Sequence, residues 1–173
     1  MKFSTMTLAA GLAMAATISV AQDASTRVDA DTDWAVFADE DPKECWAVTA
    51  PKETVNTRDG RTVSVRRGDI LLFVTFRPDS NVVAEVSFTG GYPFASGSTA
   101  TMQIGDATFE MFTEGEYAWP ATPEDDRKIV TAMKRGTDAV VTARSSRGTQ
   151  TQDTFSLLGA TAMIESAESR CTS

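Results

Sequence analysis

The sequence predicts a mainly β domain, a sandwich or barrel covered by one or two helices. Three observations predict it. Six or more short runs of alternating or continuous apolar residues lie between Trp34 and Leu157. Turn pairs separate several of them, notably Asp59-Gly60, Gly105-Asp106 and Arg147-Gly148. Helical spacing replaces strand spacing in two places, after Pro120 and at the C-terminal end.

The chain opens with Lys2, an uncharged apolar run from Met6 to Val20, and small residues at Ser19 and Ala21 ahead of Gln22-Asp23. That is the layout of a secretory signal peptide cleaved after Ala21, the alternative being an uncleaved anchor. The run is short for a membrane span, and no cysteine near the cleavage point invites lipidation. Residues 1–21 are therefore expected to be a leader, residues 22–33 a flexible acidic arm, and residues 34–173 a single domain.

Within that domain Trp34–Phe37 is expected to start the structure, followed by a loop at Asp39–Pro42 and a strand at Cys45–Thr49. Residues 55–65 form a hairpin around Asp59-Gly60, a pair suited to positive φ angles. Ile70–Phe76 is apolar almost throughout and reads as a central strand buried on both faces. Val82–Thr89 alternates, with Ala84, Val86 and Phe88 on one side. Thr99–Ile104 and Ala107–Phe112 flank Gly105-Asp106 as a second hairpin, and Tyr117–Trp119 is a short strand.

Thr122-Pro123 followed by Glu124-Asp125-Asp126 is a helix start, with threonine as N-cap, proline at the first helical position and acids in the first turn. Ile129, Val130 and Met133 share a face, and Gly136 closes the helix. Two strands follow near Ala139–Ser145 and Gln150–Leu157. Ala160, Met163, Ile164, Ala167 and Cys171 fall on one stripe of a last helix.

The chain has two cysteines and no histidine. Export places them where disulfides persist, so Cys45 and Cys171 are expected to pair, the alternative being two free thiols. Such a bridge closes a loop almost as long as the domain and is worth about 5 kcal/mol in the chain-entropy model. It would hold down a weakly docking, alanine-rich terminal helix. The formal net charge is −8, and −9 once Lys2 leaves with the leader. That balance argues against nucleic acid and anionic membrane as main partners.

Gly90-Gly91-Tyr92-Pro93-Phe94, Gly97-Ser98 and Ile104-Gly105 form an ordered set with Ser146-Arg147-Gly148-Thr149 and Asp153-Thr154-Phe155-Ser156-Leu157. With Trp46 beside Cys45 and a helix ending in Cys171, the set resembles the invasion-associated locus B family over residues 34–171. The resemblance implies an immunoglobulin-like β-sandwich and a secreted or periplasmic location of the kind known from alphaproteobacteria. Some members are linked to entry into host erythrocytes. It carries over no catalytic residue.

Asp29, Asp31, Asp33 and Glu40 have the spacing of a calcium loop, but Trp34 stands where the sharp turn needs glycine. A solvated arm is the expected reading. Arg58, Arg61, Arg66, Arg67 and Arg77 fall within 20 residues and form a local cationic face on an acidic protein. Arg67-Gly68-Asp69 is an adhesion tripeptide and also an ordinary turn before a strand. Tyr92 and Phe94, between glycines, suggest an exposed recognition loop, while Trp34, Trp46 and Trp119 are expected to pack in or at the edge of the core.

Without histidine there is no Ser-His-Asp or Cys-His machinery. Glu110, Glu114 and Glu116 are the remaining candidates for a carboxylate pair, and read more simply as the wet side of a hairpin. The expected function is that of an exported, non-enzymatic envelope interaction protein without cofactor, monomeric, engaging an envelope or host protein or an anionic polymer through Arg58, Arg61, Arg66, Arg67, Tyr92 and Phe94. The alternatives are a carboxylate hydrolase of envelope polymer and a stability factor for other envelope proteins.

Overall fold

The computed structural model describes residues 26–172. The predicted leader and the first four residues of the predicted arm lie outside them. The described chain forms twelve strands and two α-helices. The strands are β1 (Thr26–Asp31), β2 (Trp34–Glu40), β3 (Lys43–Thr49), β4 (Glu53–Arg58), β5 (Arg61–Thr62), β6 (Leu71–Arg77), β7 (Val82–Thr89), β8 (Thr99–Ile104), β9 (Ala107–Glu114), β10 (Tyr117–Trp119), β11 (Asp138–Arg144) and β12 (Gln150–Ser156). The helices are α1 (Pro123–Met133) and α2 (Ala160–Thr172).

Hydrogen bonding joins all twelve strands into one antiparallel sheet, in the order β1-β2-β3-β6-β7-β10-β9-β8-β11-β12-β4-β5. The fold is mainly β with a mid-chain and a C-terminal helix, as the sequence predicts. Its layers are two halves of one sheet folded over on itself. The indole N–H of Trp34 on β2 donates to the Ser156 carbonyl on β12 at 2.9 Å. Phe88 on β7 meets Phe155 on β12 edge-on, with centroids 6.0 Å apart. Strands distant in the ladder thus close over a common core that includes Leu72, Val74, Val86, Met102, Met111 and Val141.

α1 starts as its sequence dictates: the Thr122 hydroxyl accepts from the Asp125 amide, and Pro123 follows. Ile129 and Met133 are buried, and the Gly136 amide donates to the Ala132 carbonyl to end the helix. α2 buries Ala160, Met163, Ile164, Ala167 and Cys171, the predicted stripe, and packs on β1, β2, β3 and β6. Cys171 bonds Cys45 on β3 with 5.9 Å between α-carbons, inside the usual range for a disulfide.

Two expectations are corrected. From Thr26 onward the supposed arm is strand β1, paired with β2 from Thr26↔Ala38 to Asp31↔Trp34. Its charges are not merely solvated. The Ser166 hydroxyl on α2 donates to Asp29 at 2.7 Å, and Arg170 lies 3.7 Å from the same carboxylate. Gly159, at φ +88°, lets the start of α2 pass against the Asp31 carbonyl, where a Cβ would collide. The acids of β1 are thus read against a helix that arrives from the other end of the chain.

The second correction concerns β6. Leu72, Val74 and Phe76 are buried, but Phe73 and Arg77 are only half-buried and face the other way. β6 has one core face and one open face.

Candidate functional site

The arginine-rich stretch does assemble a site, and the structure selects among its members. Arg58, Arg66 and Arg67 line a cleft of about 300 Å³ together with Tyr92, Arg147 and Thr149. Four segments supply it: the end of β4, the chain leading into β6, the Gly90–Phe94 loop, and the turn between β11 and β12. Two glycines bring the second and third of these into contact. Gly91 adopts φ +68°, and a Cβ there would sit 2.6 Å from the Gly68 carbonyl oxygen. The Gly68 amide donates to the Gly91 carbonyl at 2.8 Å.

Arg67 is the post on which the cleft is built. Its guanidinium donates to both oxygens of Asp153, at 2.7 and 2.6 Å, and to the Gly90 carbonyl at 2.8 Å. The two side chains are 6% and 0% exposed. Burial raises the Asp153 pKa above its ordinary value, with the hydrogen bonds and charge of Arg67 opposing the rise. The forked geometry is that of an ionised pair. Arg67 also lies over the Tyr92 ring, 4.9 Å from its centroid. The Tyr92 hydroxyl is hydrogen-bonded to Thr151 at 2.5 Å, and burial raises its pKa. With Arg67 turned inward, the Arg67-Gly68-Asp69 tripeptide is unavailable as an adhesion loop.

Arg58 donates to the Thr149 hydroxyl at 2.7 Å. Arg58, Arg66 and Arg147 enter no ion pair among the described residues. Three guanidinium groups without acidic partners thus line one cleft, beside the hydroxyl-bearing Ser145 and Thr149. That arrangement attracts a carboxylate, phosphate or sulfate, which planar guanidinium forks bind bidentately.

The remaining predicted positions separate from this site. Arg61 is exposed on β5 and does not line the cleft. Arg77 lies on β6, held by Glu44 at 3.2 Å and Glu85 at 2.5 Å. Phe94 is buried against Phe88 and Tyr92 in the core rather than displayed in a loop, because its amide is pinned to the Gly115 carbonyl. Arg147 escapes a linear reading because 80 residues separate it from Arg67; only the β11–β12 pairing brings its turn here.

The four acids with calcium-loop spacing do not converge. Asp29 faces Ser166 and Arg170, Asp33 pairs with Lys52, Asp31 accepts from Thr32, and Glu40 sits at the far end of β2 opposite Lys43. Among the described residues no group of side chains has the makings of a metal site. Glu110, Glu114 and Glu116 are exposed on β9 and in the turn that follows it. Trp34 is in the core as expected, whereas Trp46 and Trp119 stand half-buried on the outward side of the sheet. No helix among the described residues is long and apolar enough to cross a membrane.

A family model described as invasion associated locus B (IalB) protein matches residues 34–168. No curated protein and no solved structure matches the chain.

Proposed function

The chain belongs to the invasion associated locus B family, and from that premise we propose that it is an exported, non-enzymatic interaction protein of the cell envelope that holds an anionic polymer in its arginine cleft. The leader-like start and the Cys45–Cys171 bridge support export into an oxidising space. The observation that carries the binding reading is the set of three arginines, Arg58, Arg66 and Arg147, left without acidic partners among the described residues on a protein of net charge −8. An acidic protein that keeps a cationic cleft exempt from neutralisation has a local potential opposite to its overall one, which steers anions to that place.

The test is retention on immobilised dextran sulfate and polygalacturonate. The wild-type protein is expected to be retained by at least one matrix, with retention falling as salt rises. Arg66→Glu/Arg147→Glu is expected to lower the affinity at least tenfold with an unchanged Tm. Absence of retention by both matrices, or equal retention of the double variant, overturns the reading.

A further inference from the structure

A second surface lies on the outward side of the sheet. Alternation sets it up. Cys45 and Ala47 point into the molecule, so Trp46 between them points out; Ala118 is buried, so Tyr117 and Trp119 point out. Phe73 on β6 and Phe112 on β9 join them. Phe112 and Tyr117 are 46% and 45% exposed. The rings are ordered: Trp119 stacks with Phe112 at 5.5 Å and with Tyr117 at 5.7 Å, and Trp46 stacks with Phe37 at 5.9 Å.

Trp46, Phe73, Phe112, Tyr117 and Trp119 line two adjoining hollows of about 330 and 550 Å³, which share Arg77, Glu85 and Trp119 and so form one continuous groove. From β3 to β9 the ladder takes four steps, about 19 Å along the sheet at the usual strand spacing. That length suits several sugar rings in a chain rather than a single small molecule.

Charge argues against an anionic occupant. Among the described residues Arg77 is the only basic one lining either hollow, and Glu44 and Glu85 already neutralise it. Glu114 and Asp126 add only negative charge. The groove therefore has no free cation for an anionic polymer. It offers ring faces and edges beside fixed hydrogen-bonding groups: the Arg77 fork, its two carboxylates, and the hydroxyls of Thr75 and Ser87. Sugars match that surface, with C–H faces that lie on aromatic rings and hydroxyls that both donate and accept.

We propose that this outer face binds a neutral saccharide chain, with Trp119 and Tyr117 as stacking residues and the Glu44–Arg77–Glu85 network fixing its hydroxyls. This surface goes beyond the anion-binding reading and is independent of it. The test is affinity electrophoresis of the full-length protein in gels containing hydroxyethyl cellulose, dextran or glycol chitin, backed by titration with cellohexaose and chitohexaose. At least one glycan is expected to retard the wild type. Trp119→Ala and Tyr117→Ala are each expected to weaken that binding at least tenfold, Tyr117→Phe to keep most of it, and Arg66→Glu/Arg147→Glu to leave it unchanged. Tyr117 is half-exposed, so its variants report on binding even where Trp119→Ala impairs folding.

The proposal is overturned if no glycan retards the protein or if retardation survives both alanine variants. It is equally overturned if polylysine binds the face in place of glycan, or if sedimentation shows a dimer that Tyr117→Ala dissociates. Loss of glycan binding alone leaves dextran sulfate retention intact, so the two sites fail separately.

Discussion

In the arginine cleft a buried aspartate, Asp153, meets a complete guanidinium fork; beside the outer aromatic groove the partly comparable Asp126 meets only one backbone amide, that of Val86, at 2.8 Å. The first pair joins β12 to the chain before β6 and closes a cleft made of loops. The second ties the start of α1 to β7 beside Ala84, where the β6–β7 register shifts. One region gets its shape from a charge pair buried among loops. The other gets its shape from strand alternation, and its ionic network remains at the surface. Removing one partner therefore has very different consequences in the two places.

The largest expected effect is at the cleft. Asp153→Ala leaves the Arg67 guanidinium buried without its counter-charge, and is expected to cost about 3–5 kcal/mol in urea denaturation. Arg67→Met/Asp153→Leu, which removes both charges, is expected to recover most of that loss. A cost below about 1 kcal/mol for the single variant would mean that the pair does not hold the cleft closed.

The next effect lies beneath the aromatic face. Cys45→Ala/Cys171→Ala frees α2 from β3 and is expected to cost about 2–4 kcal/mol. Because α2 packs on β1, β2, β3 and β6, amide exchange should quicken first in α2 and β1, whose pairing leans on it. β11, β12 and dextran sulfate retention should be unaffected below the unfolding transition. Uniform loosening would show that the two regions are one cooperative unit, and the contrast drawn between them would fail.

The same contrast explains what the sequence reveals. Turn pairs, the α1 cap and the α2 stripe are local signals, and each element stands where they place it. β1 is hidden because its partners, Ser166 and Arg170, arrive from residues more than 130 positions away. In the cleft, Arg58, Arg66 and Arg67 are legible as neighbours in sequence; Arg147 is not, and nothing local distinguishes the inward Arg67 from the outward Arg66. The aromatic face carries a signal that period-2 reasoning can use. Once Cys45 is assigned to a disulfide with a core-facing helix, Trp46 must point away. A large residue flanked by small buried ones, as in Cys45-Trp46-Ala47, marks an outward display; Tyr117-Ala118-Trp119 is its mirror image.

The smallest expected effect is the response of Asp126 to pH. Burial raises the Asp126 pKa above its ordinary value, opposed by the Val86 hydrogen bond and reinforced by the charges of Glu85 and Asp125. A carboxyl whose folded pKa is raised binds more protons in the native state than in the unfolded state. Its contribution to stability is therefore greatest at low pH. It declines as pH climbs from the unfolded value through the folded one, and is level above that. Asp126→Asn keeps an oxygen for the Val86 amide and lacks the titration. The Tm of this variant relative to wild type is expected to rise across that acidic window and then stay constant to neutrality. Groups common to both proteins and remote from Asp126, such as Asp29 and Asp33 whose pKa values are lowered, cancel in the difference. A difference that falls with rising pH would mean that the Val86 amide outweighs burial and holds the Asp126 charge favourably, and the account of Asp126 as a carboxyl raised by burial would fail.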